Sequence, residues 1–402
     1  MTAQPHSSAP SDPASVLLAP VFLPRPSAPA DNHVPLPGHR APAPGRPIAQ
    51  APARPDPAAP PVGTLSPPVA HTAVARVLRE FRTAPALRVR PVAEGLLNRG
   101  YRVTTEAGTY FLKCYVDQAT ATRPAITAQH HASLALHRAG LPVAPPLAAQ
   151  DGRTVVACGG RYFALFPWVA GVHRHGTELD QQQCGDLGAL LGRLHGALAK
   201  VCAPVRQPPG RLSADPAETA LLVAQLLRLA RRAAPHGPFD VLAEQRLLER
   251  AELLAARRHL RPSPAAAPPT GWTHGDFHGL NLLHRGGRVV AVLDWDKLGL
   301  HPTAEEAVRS ATLIFNDPVT GVLDLCRVRH YARGYRDSGA AGAREMAAAV
   351  HRVWWERLND LWMLQWHYQR GDHRADPLFP GSAGQLAWWC QEYEQVLDAF
   401  TN

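Results

Sequence analysis

Between Trp272 and Asp296 the chain reads W-T-H-G-D-F-H-G-L-N-L-L-H-R-G-G-R-V-V-A-V-L-D-W-D, and no other stretch limits its possible folds as much. Asp276 opens a loop in which Asn281 follows after four residues. Arg288 to Leu293 then reads as an apolar, β-branched strand that stops on Asp294. Carboxylates at strand ends point into crevices rather than into the sheet. The spacing therefore predicts that Asp276, Asn281 and Asp294 face one cleft. Phosphoryl transfer needs such a set, because it asks the protein for charge placement more than for covalent chemistry. One carboxylate orients the acceptor hydroxyl and takes its proton, while an amide oxygen and a second carboxylate hold magnesium against the nucleotide phosphates.

The string H-G-D-F-H-G-L-N-L-L followed by V-L-D-W-D resembles the catalytic and metal-binding motifs of the aminoglycoside phosphotransferase and choline kinase-like family, small-molecule kinases with a bilobal protein-kinase-like fold. The resemblance spans roughly residues 70 to 400 and is strongest over Trp272 to Asp296. It implies that Asp276 is the catalytic base and that Asn281 and Asp294 bind Mg2+, with Asp296 assisting the metal or bracing the loop. His274 would brace the catalytic loop. His274 and His278 could also be imagined as zinc ligands, but Gly275 and Gly279 argue against a helix there and no third ligand is in place.

Upstream, Thr109 to Val116 reads as a strand by its aromatic and β-branched content. It carries Lys113, one of only three lysines with Lys200 and Lys297. A strand lysine can reach the nucleotide phosphates as a compact point charge. The run N-R-G-Y-R-V-T-T-E-A-G-T-Y-F-L-K is similar to the paired strands before the nucleotide-binding lysine of these kinases. Gly95 and Gly100 bracket a turn that would cover the phosphates with backbone amides, and the resemblance places Asn98 in the same loop. Phe166 and Trp168 fall where the family's two lobes join and adenine is held; an ordinary strand exit is the other reading of that segment.

One departure stands out. The family's first N-lobe helix carries a glutamate that pairs with the strand lysine, whereas Ala125 to Ala139 offers only Gln129 or His130. Either a neutral hydrogen bond positions Lys113, or the helix aligns differently.

The remaining sequence sets the frame. Residues 1 to 68 hold nearly half of the 40 prolines and are too poor in apolar surface to offset their ordering entropy, so they read as a disordered tail. Residues 69 to 166 read as a strand-rich nucleotide-binding N-lobe, beginning with a short helix over Val69 to Phe81. Residues 167 to 402 read as a mainly helical C-lobe, in which Gly342 to Gln369 is expected to be one tryptophan-rich helix and Glu356, Asp360 and Glu392 are possible acceptor-pocket residues. His195 reads as a helix-packing residue.

The formal charge of +9 is carried by arginines scattered among acids, with no five-residue basic run, which argues against nucleic acid. No apolar run is long enough to span a membrane. The six cysteines form no C-x-x-C pair and fit a reducing cytoplasm. The expectation is an α+β, ATP- and Mg2+-dependent kinase acting on a hydroxyl of an aminoglycoside-like antibiotic, an amino alcohol, homoserine or a sugar. Acids in the acceptor pocket would favour a cationic substrate, and an arginine an acidic one. The rival is a catalytically weak, kinase-like nucleotide-binding or scaffold protein. The missing helix glutamate speaks for it, and the Asp276, Asn281 and Asp294 set speaks against it.

Overall fold

A computed structural model describes residues 71–92, 98–116, 121–205 and 212–402. The proline-rich segment and Gly95 lie outside these residues. The first described element is the helix α1 (His71–Glu80), whose apolar residues at helical spacing put Val74, Val77 and Leu78 on one buried face. Burying each is worth roughly 1.5–3 kcal/mol.

That face lies on a five-stranded sheet built from β1 (Ala86–Val92), β2 (Arg99–Thr105), β3 (Gly108–Tyr115), β4 (Val156–Cys158) and β5 (Arg161–Pro167). Between β3 and β4 comes α2 (Arg123–Arg138), capped by Thr122 with a proline in its first turn. The sheet order is β1-β2-β3-β5-β4, antiparallel throughout. Strand alternation divides it into two faces. Tyr101, Val103, Leu112, Cys114, Phe163 and Leu165 pack with α1. On the opposite face Gly100, Lys113 and Ala164 share one rung. Gly100 is therefore a strand residue facing Lys113 rather than the closing residue of a turn.

After β5 the Trp168 amide donates to the Thr109 carbonyl (3.1 Å). Val172 then pairs with His284, hooking the outgoing chain onto the hairpin beside the catalytic loop. The segment thus connects the sheet to the helical region.

The helical remainder contains α3 (Gln181–Val201), α4 (Pro216–Arg232) and α5 (Pro238–Arg257). Four short strands follow: β6 (Thr270–Thr273), β7 (Leu282–Arg285), β8 (Arg288–Val292) and β9 (Gly299–Pro302). The β6/β9 and β7/β8 pairs are separate two-stranded sheets. The chain ends with α6 (Thr303–Ile314), α7 (Leu325–Asp337), α8 (Ala343–Asn359), α9 (Trp362–Gln365), α10 (Phe379–Gln391) and α11 (Tyr393–Thr401). Helices α3 and α7 meet backbone to backbone: a Cβ on Gly188 would lie 2.0 Å from the Tyr331 carbonyl oxygen. This close approach brings His195 of α3 to Tyr335 of α7. Trp354, Trp355 and Trp389 fill the core beneath them.

The single helix expected over Gly342 to Gln369 is interrupted. Asp360 is extended (φ −93°, ψ 124°), and the Arg250 guanidinium donates to the carbonyls of Arg357 (2.8 Å), Leu358 (2.9 Å) and Asp360 (3.1 Å). A buried cation thus satisfies the carbonyls that end α8 and removes the need to continue it. The chain resumes as α9 and a π-helical turn, Trp366–Arg370.

Among the described residues no helix is long and apolar enough to cross a membrane. The cysteines Cys114, Cys158, Cys184, Cys202, Cys326 and Cys390 are all free thiols.

Candidate active site

The catalytic loop is held from below. His274 is fully buried and bridges two backbones: its Nε2 donates to the Leu293 carbonyl (2.8 Å) and its Nδ1 accepts from the Asp276 amide (3.2 Å). Burial keeps the ring below its ordinary pKa, hence neutral, and these roles need one protonated and one bare nitrogen. Glu306 of α6 accepts from the His274 amide (3.1 Å), from the Gly275 amide and from His195 Nε2 (2.8 Å). Burial works against the Glu306 charge, but the His195 contact holds its carboxyl below the usual range. His195 is the packing residue expected from its helix, with Tyr335 on its other nitrogen (2.9 Å). Gly275 has a positive φ of 82°, and a Cβ there would sit 2.1 Å from the Lys297 carbonyl oxygen. The H-G-D order is therefore a backbone requirement.

Asp276 is buried against three nitrogen groups. Arg309 Nη2 lies 3.0 Å and Lys297 Nζ 3.2 Å from its Oδ1, with His278 Nε2 3.4 Å from its Oδ2. Burial alone would raise its pKa, but His278, Lys297 and Arg309 hold it far below the usual carboxylate range. Asn281 donates through Nδ2 to the Asp276 carbonyl (2.9 Å). Because that carbonyl only accepts, the Asn281 oxygen must be the other end of the amide.

Across the cleft Lys113 Nζ lies 2.7 Å from Asp294 Oδ1 and 2.7 Å from Asp296 Oδ1. Burial opposes the lysine charge, yet the two aspartates hold its pKa well above the ordinary value. Asp294 adopts left-handed backbone (φ 56°), a strained conformation for a non-glycine residue that is common at functional sites. Asn98 donates to Asp296 Oδ2 (2.5 Å) and accepts from the Val116 amide (3.0 Å). Lys113, Asn98, Asp294 and Asp296 are thus brought together. Phe166 packs edge-on to His130 (5.7 Å), and the Trp168 ring lies under the Arg102 guanidinium (4.6 Å).

Neither candidate for the missing glutamate reaches the lysine. Gln129 donates to the Asp296 backbone carbonyl (2.8 Å). His130 turns into the sheet side, meeting the Tyr115 hydroxyl (3.1 Å) and Thr154 Oγ1 (2.7 Å). Burial first and the Lys113 charge second push it down to about 3, so it is neutral. Instead of a neutral bond from the helix, the two aspartates hold Lys113, and Gln129 fixes the backbone of Asp296.

Asn281, Asp294 and Asp296 are hard oxygen donors of the type a Mg2+ ion takes. Burial, and then the charge of Asp294, push the Asp296 carboxyl upward to about 6 against the opposing pull of Lys113. Two neighbouring carboxylates sharing one ammonium make a site that a divalent cation would relieve, so the residues fit the ion.

Beside the catalytic loop lies a cavity of about 310 Å³, lined by His173, Arg174, His278, Leu313, Arg357 and Gln385 among others, with no aspartate or glutamate in its lining. Glu356, Asp360 and Glu392, the sequence's candidates for an acceptor pocket, are not part of it. Arg357 donates to Thr312 Oγ1 (2.7 Å). Burial, then Arg309, push its pKa down to about 10. Sequence reasoning missed Glu306, Arg309 and Arg357. The available signal was charge inside apolar helices: Glu306 and Arg309, three residues apart, share the site-facing side of α6.

A cleft of this kind, closed by a lysine-bearing antiparallel sheet above and a helix-braced aspartate loop below, belongs to the small-molecule phosphotransferases of protein-kinase-like fold. Residues 88–346 match the sequence pattern of the phosphotransferase enzyme family, APH, and the chain belongs to that family. It is 25% identical over 323 residues to a homoserine kinase of Janthinobacterium sp. (strain Marseille), covering 78% of this chain and 92% of the relative. A homoserine kinase of Methylobacillus flagellatus is 26% identical over 319 residues, covering 75% and 88%. In fold the chain is similar to spectinomycin phosphotransferase in complex with ADP and spectinomycin, with a TM-score of 0.58 and 14% identity over 82% of this chain and 100% of that one. It is also similar to a microcompartment-associated aminopropanol kinase, with a TM-score of 0.53 and 19% identity over 82% and 99%.

Proposed function

We infer that the protein is an ATP- and Mg2+-dependent kinase whose acceptor is a small hydroxy acid of the homoserine type. The observation that carries the acceptor assignment is Arg357, which lines the cavity beside His278, makes no ion pair with a carboxylate among the described residues and faces a lining without acids, although the charge of Asp360 reaches it from outside that lining. A buried guanidinium with no counter-charge is costly, and a substrate carboxylate would supply one, with a bidentate geometry that favours planar acids. The lining offers no carboxylate to the amines of aminoglycosides or amino alcohols, nor to the ammonium of homoserine, so the discriminating group is the substrate carboxylate. The homoserine kinase relatives support the same reading.

In the mechanism we assign, the lobes of residues 69–166 and 167–402 enclose the reactants. Lys113 and the amides of the segment containing Gly95 and Asn98 take the nucleotide phosphates, and the Phe166 to Trp168 connection takes the base. Asn281, Asp294 and Asp296 hold the metal, which when bound neutralises charge developing on the transferred group. Arg357 fixes the acceptor's acid end so that its hydroxyl falls near Asp276. Asp276, kept ionised by His278, Lys297 and Arg309, orients that hydroxyl and accepts its proton as the hydroxyl oxygen bonds to the γ-phosphorus, the bond from that phosphorus to the β–γ bridging oxygen breaks and ADP leaves. Lys113 is positioned despite the absent glutamate, which removes the main support for a scaffold role.

The test is ADP release with ATP and Mg2+ over homoserine, its decarboxylated amino alcohol, aminoglycosides and sugars. The reading expects homoserine-type acids to be the efficient substrates, and Arg357→Met to raise their KM by about 10-fold or more. Turnover of the amino alcohol equal to that of the acid, or an unchanged KM in Arg357→Met, would sink the acceptor assignment.

A further inference from the structure

Away from the catalytic cleft, three ligating atoms converge in the segment between the π-helical turn and α10. His367 Nδ1 lies 2.9 Å from Asp376 Oδ2, His373 Nδ1 lies 3.1 Å from the same oxygen, and the two Nδ1 atoms are 3.1 Å apart. Hydrogen bonds serve this triangle poorly. The carboxylate oxygen only accepts, each neutral ring carries at most one Nδ1 proton, and one proton cannot point along two edges at once. If both rings donate to Asp376, nothing holds the two nitrogens together.

A metal ion accounts for all three edges. With ligand bonds of about 2.0–2.2 Å, the ligands on one face of a tetrahedral or octahedral site lie roughly 2.9–3.4 Å apart. We propose that His367, His373 and Asp376 form a site for one divalent transition-metal ion of the zinc class, distinct from the Mg2+ assigned to the cleft. Two imidazole nitrogens and one carboxylate select such a metal over Mg2+ or Ca2+.

The surroundings are those of a built site. The His367 ring stacks on Phe239 (4.2 Å, 14°) and meets Tyr368 edge-on (4.4 Å), which fixes its orientation. The second carboxylate oxygen, Asp376 Oδ1, is buried with no hydrogen-bond partner. His373 is exposed, its side chain 64% accessible, so an ion can enter from solvent and complete its shell with water. Gly371, in left-handed conformation (φ 63°), ends the π-helical turn and reverses the chain so that His373 returns over His367. Pro377 and Leu378, directly after Asp376, line the cavity beside the catalytic loop. The bound ion therefore ties the π-helical turn to the wall of that cavity.

The experiment uses untagged full-length protein, stripped with a chelator and kept in excess Mg2+ so that the cleft is not available to the added metal. Zn2+ is titrated by calorimetry, and Co2+ by its visible absorption, against wild type, His373→Ala and Asp376→Asn. His373 is exposed, so its alanine variant should keep the native circular dichroism spectrum. The expected result is one ion per wild-type chain with micromolar or tighter affinity, a Zn2+-dependent rise in Tm, and affinity lower by about 10-fold or more in both variants. Absence of binding at about 100 µM Zn2+, or equal stoichiometry and affinity in wild type and His373→Ala, would overturn the site.

Discussion

Arg309 Nη2 lies 3.0 Å from Asp276 Oδ1, joining α6 to the catalytic loop through a largely buried ion pair. With Lys297 on the same oxygen, it keeps the carboxylate ionised and aims it. Arg309→Leu should lower kcat by about 10-fold or more while leaving the chain folded. A folded Arg309→Leu protein with wild-type kcat would show that Arg309 does not aim Asp276.

Asp276→Asn preserves size and most hydrogen bonds but cannot take a proton. Turnover should fall by roughly 10²–10⁴, with ATP affinity and Tm close to wild type. A folded Asp276→Asn protein with wild-type rates would remove the base assignment.

The acid side of the wild-type profile should not report Asp276 itself, whose pKa lies far below the carboxylate range. Asp296 is the group raised, to about 6, by burial and by Asp294. Although Lys113 pairs with it, burial and Asp294 outweigh that pull, so its shift is upward rather than the usual downward shift of a salt-bridged acid. The folded cleft binds this proton more tightly than the unfolded chain, so the proton is lost only as pH climbs through about 6, and Mg2+ competes with it. The apparent affinity for Mg2+ should therefore weaken as pH falls below about 6 and level off above it. Titrating Mg2+ activation from pH 5 to 8 checks this, and in Asp296→Asn the dependence should flatten.

Much of this architecture is legible in the sequence, for reasons that differ by residue. Asp276, Asn281 and Asp294 stand out because loop spacing and a strand end place their side chains locally. Lys113 stands out because lysine is so rare in this chain. His274 is legible as a brace only through the resemblance of H-G-D-F-H-G-L-N to the family's catalytic loop. Glu306 and Arg309 are hidden, since their roles arise only when α6 packs against the loop, a long-range contact that helical periodicity does not encode. The break at Asp360 is hidden for the same reason: Arg250, more than a hundred residues upstream, supplies the donors that end α8. The absent helix glutamate is legible as a departure, but its replacement by Asp294 and Asp296, with Gln129 on the Asp296 carbonyl, depends on how α2 meets the residues that follow β8.

Glu306 makes the strongest claim about how the loop is held. It is buried, with the His274 amide, the Gly275 amide and His195 all donating to it. Hydrogen bonds to a charged acceptor are worth roughly 1.5–3 kcal/mol each, and a buried donor left unpaired costs a similar amount. Glu306→Gln keeps the shape but turns one oxygen into an NH2 that faces a donor. The expected loss is about 2–4 kcal/mol in urea unfolding, with kcat falling because the Asp276 backbone is no longer pinned through His274. His195→Ala removes only one donor and should leave kcat nearer to wild type than Glu306→Gln does. The opposite ranking would mean that α3, rather than α6, holds the catalytic loop.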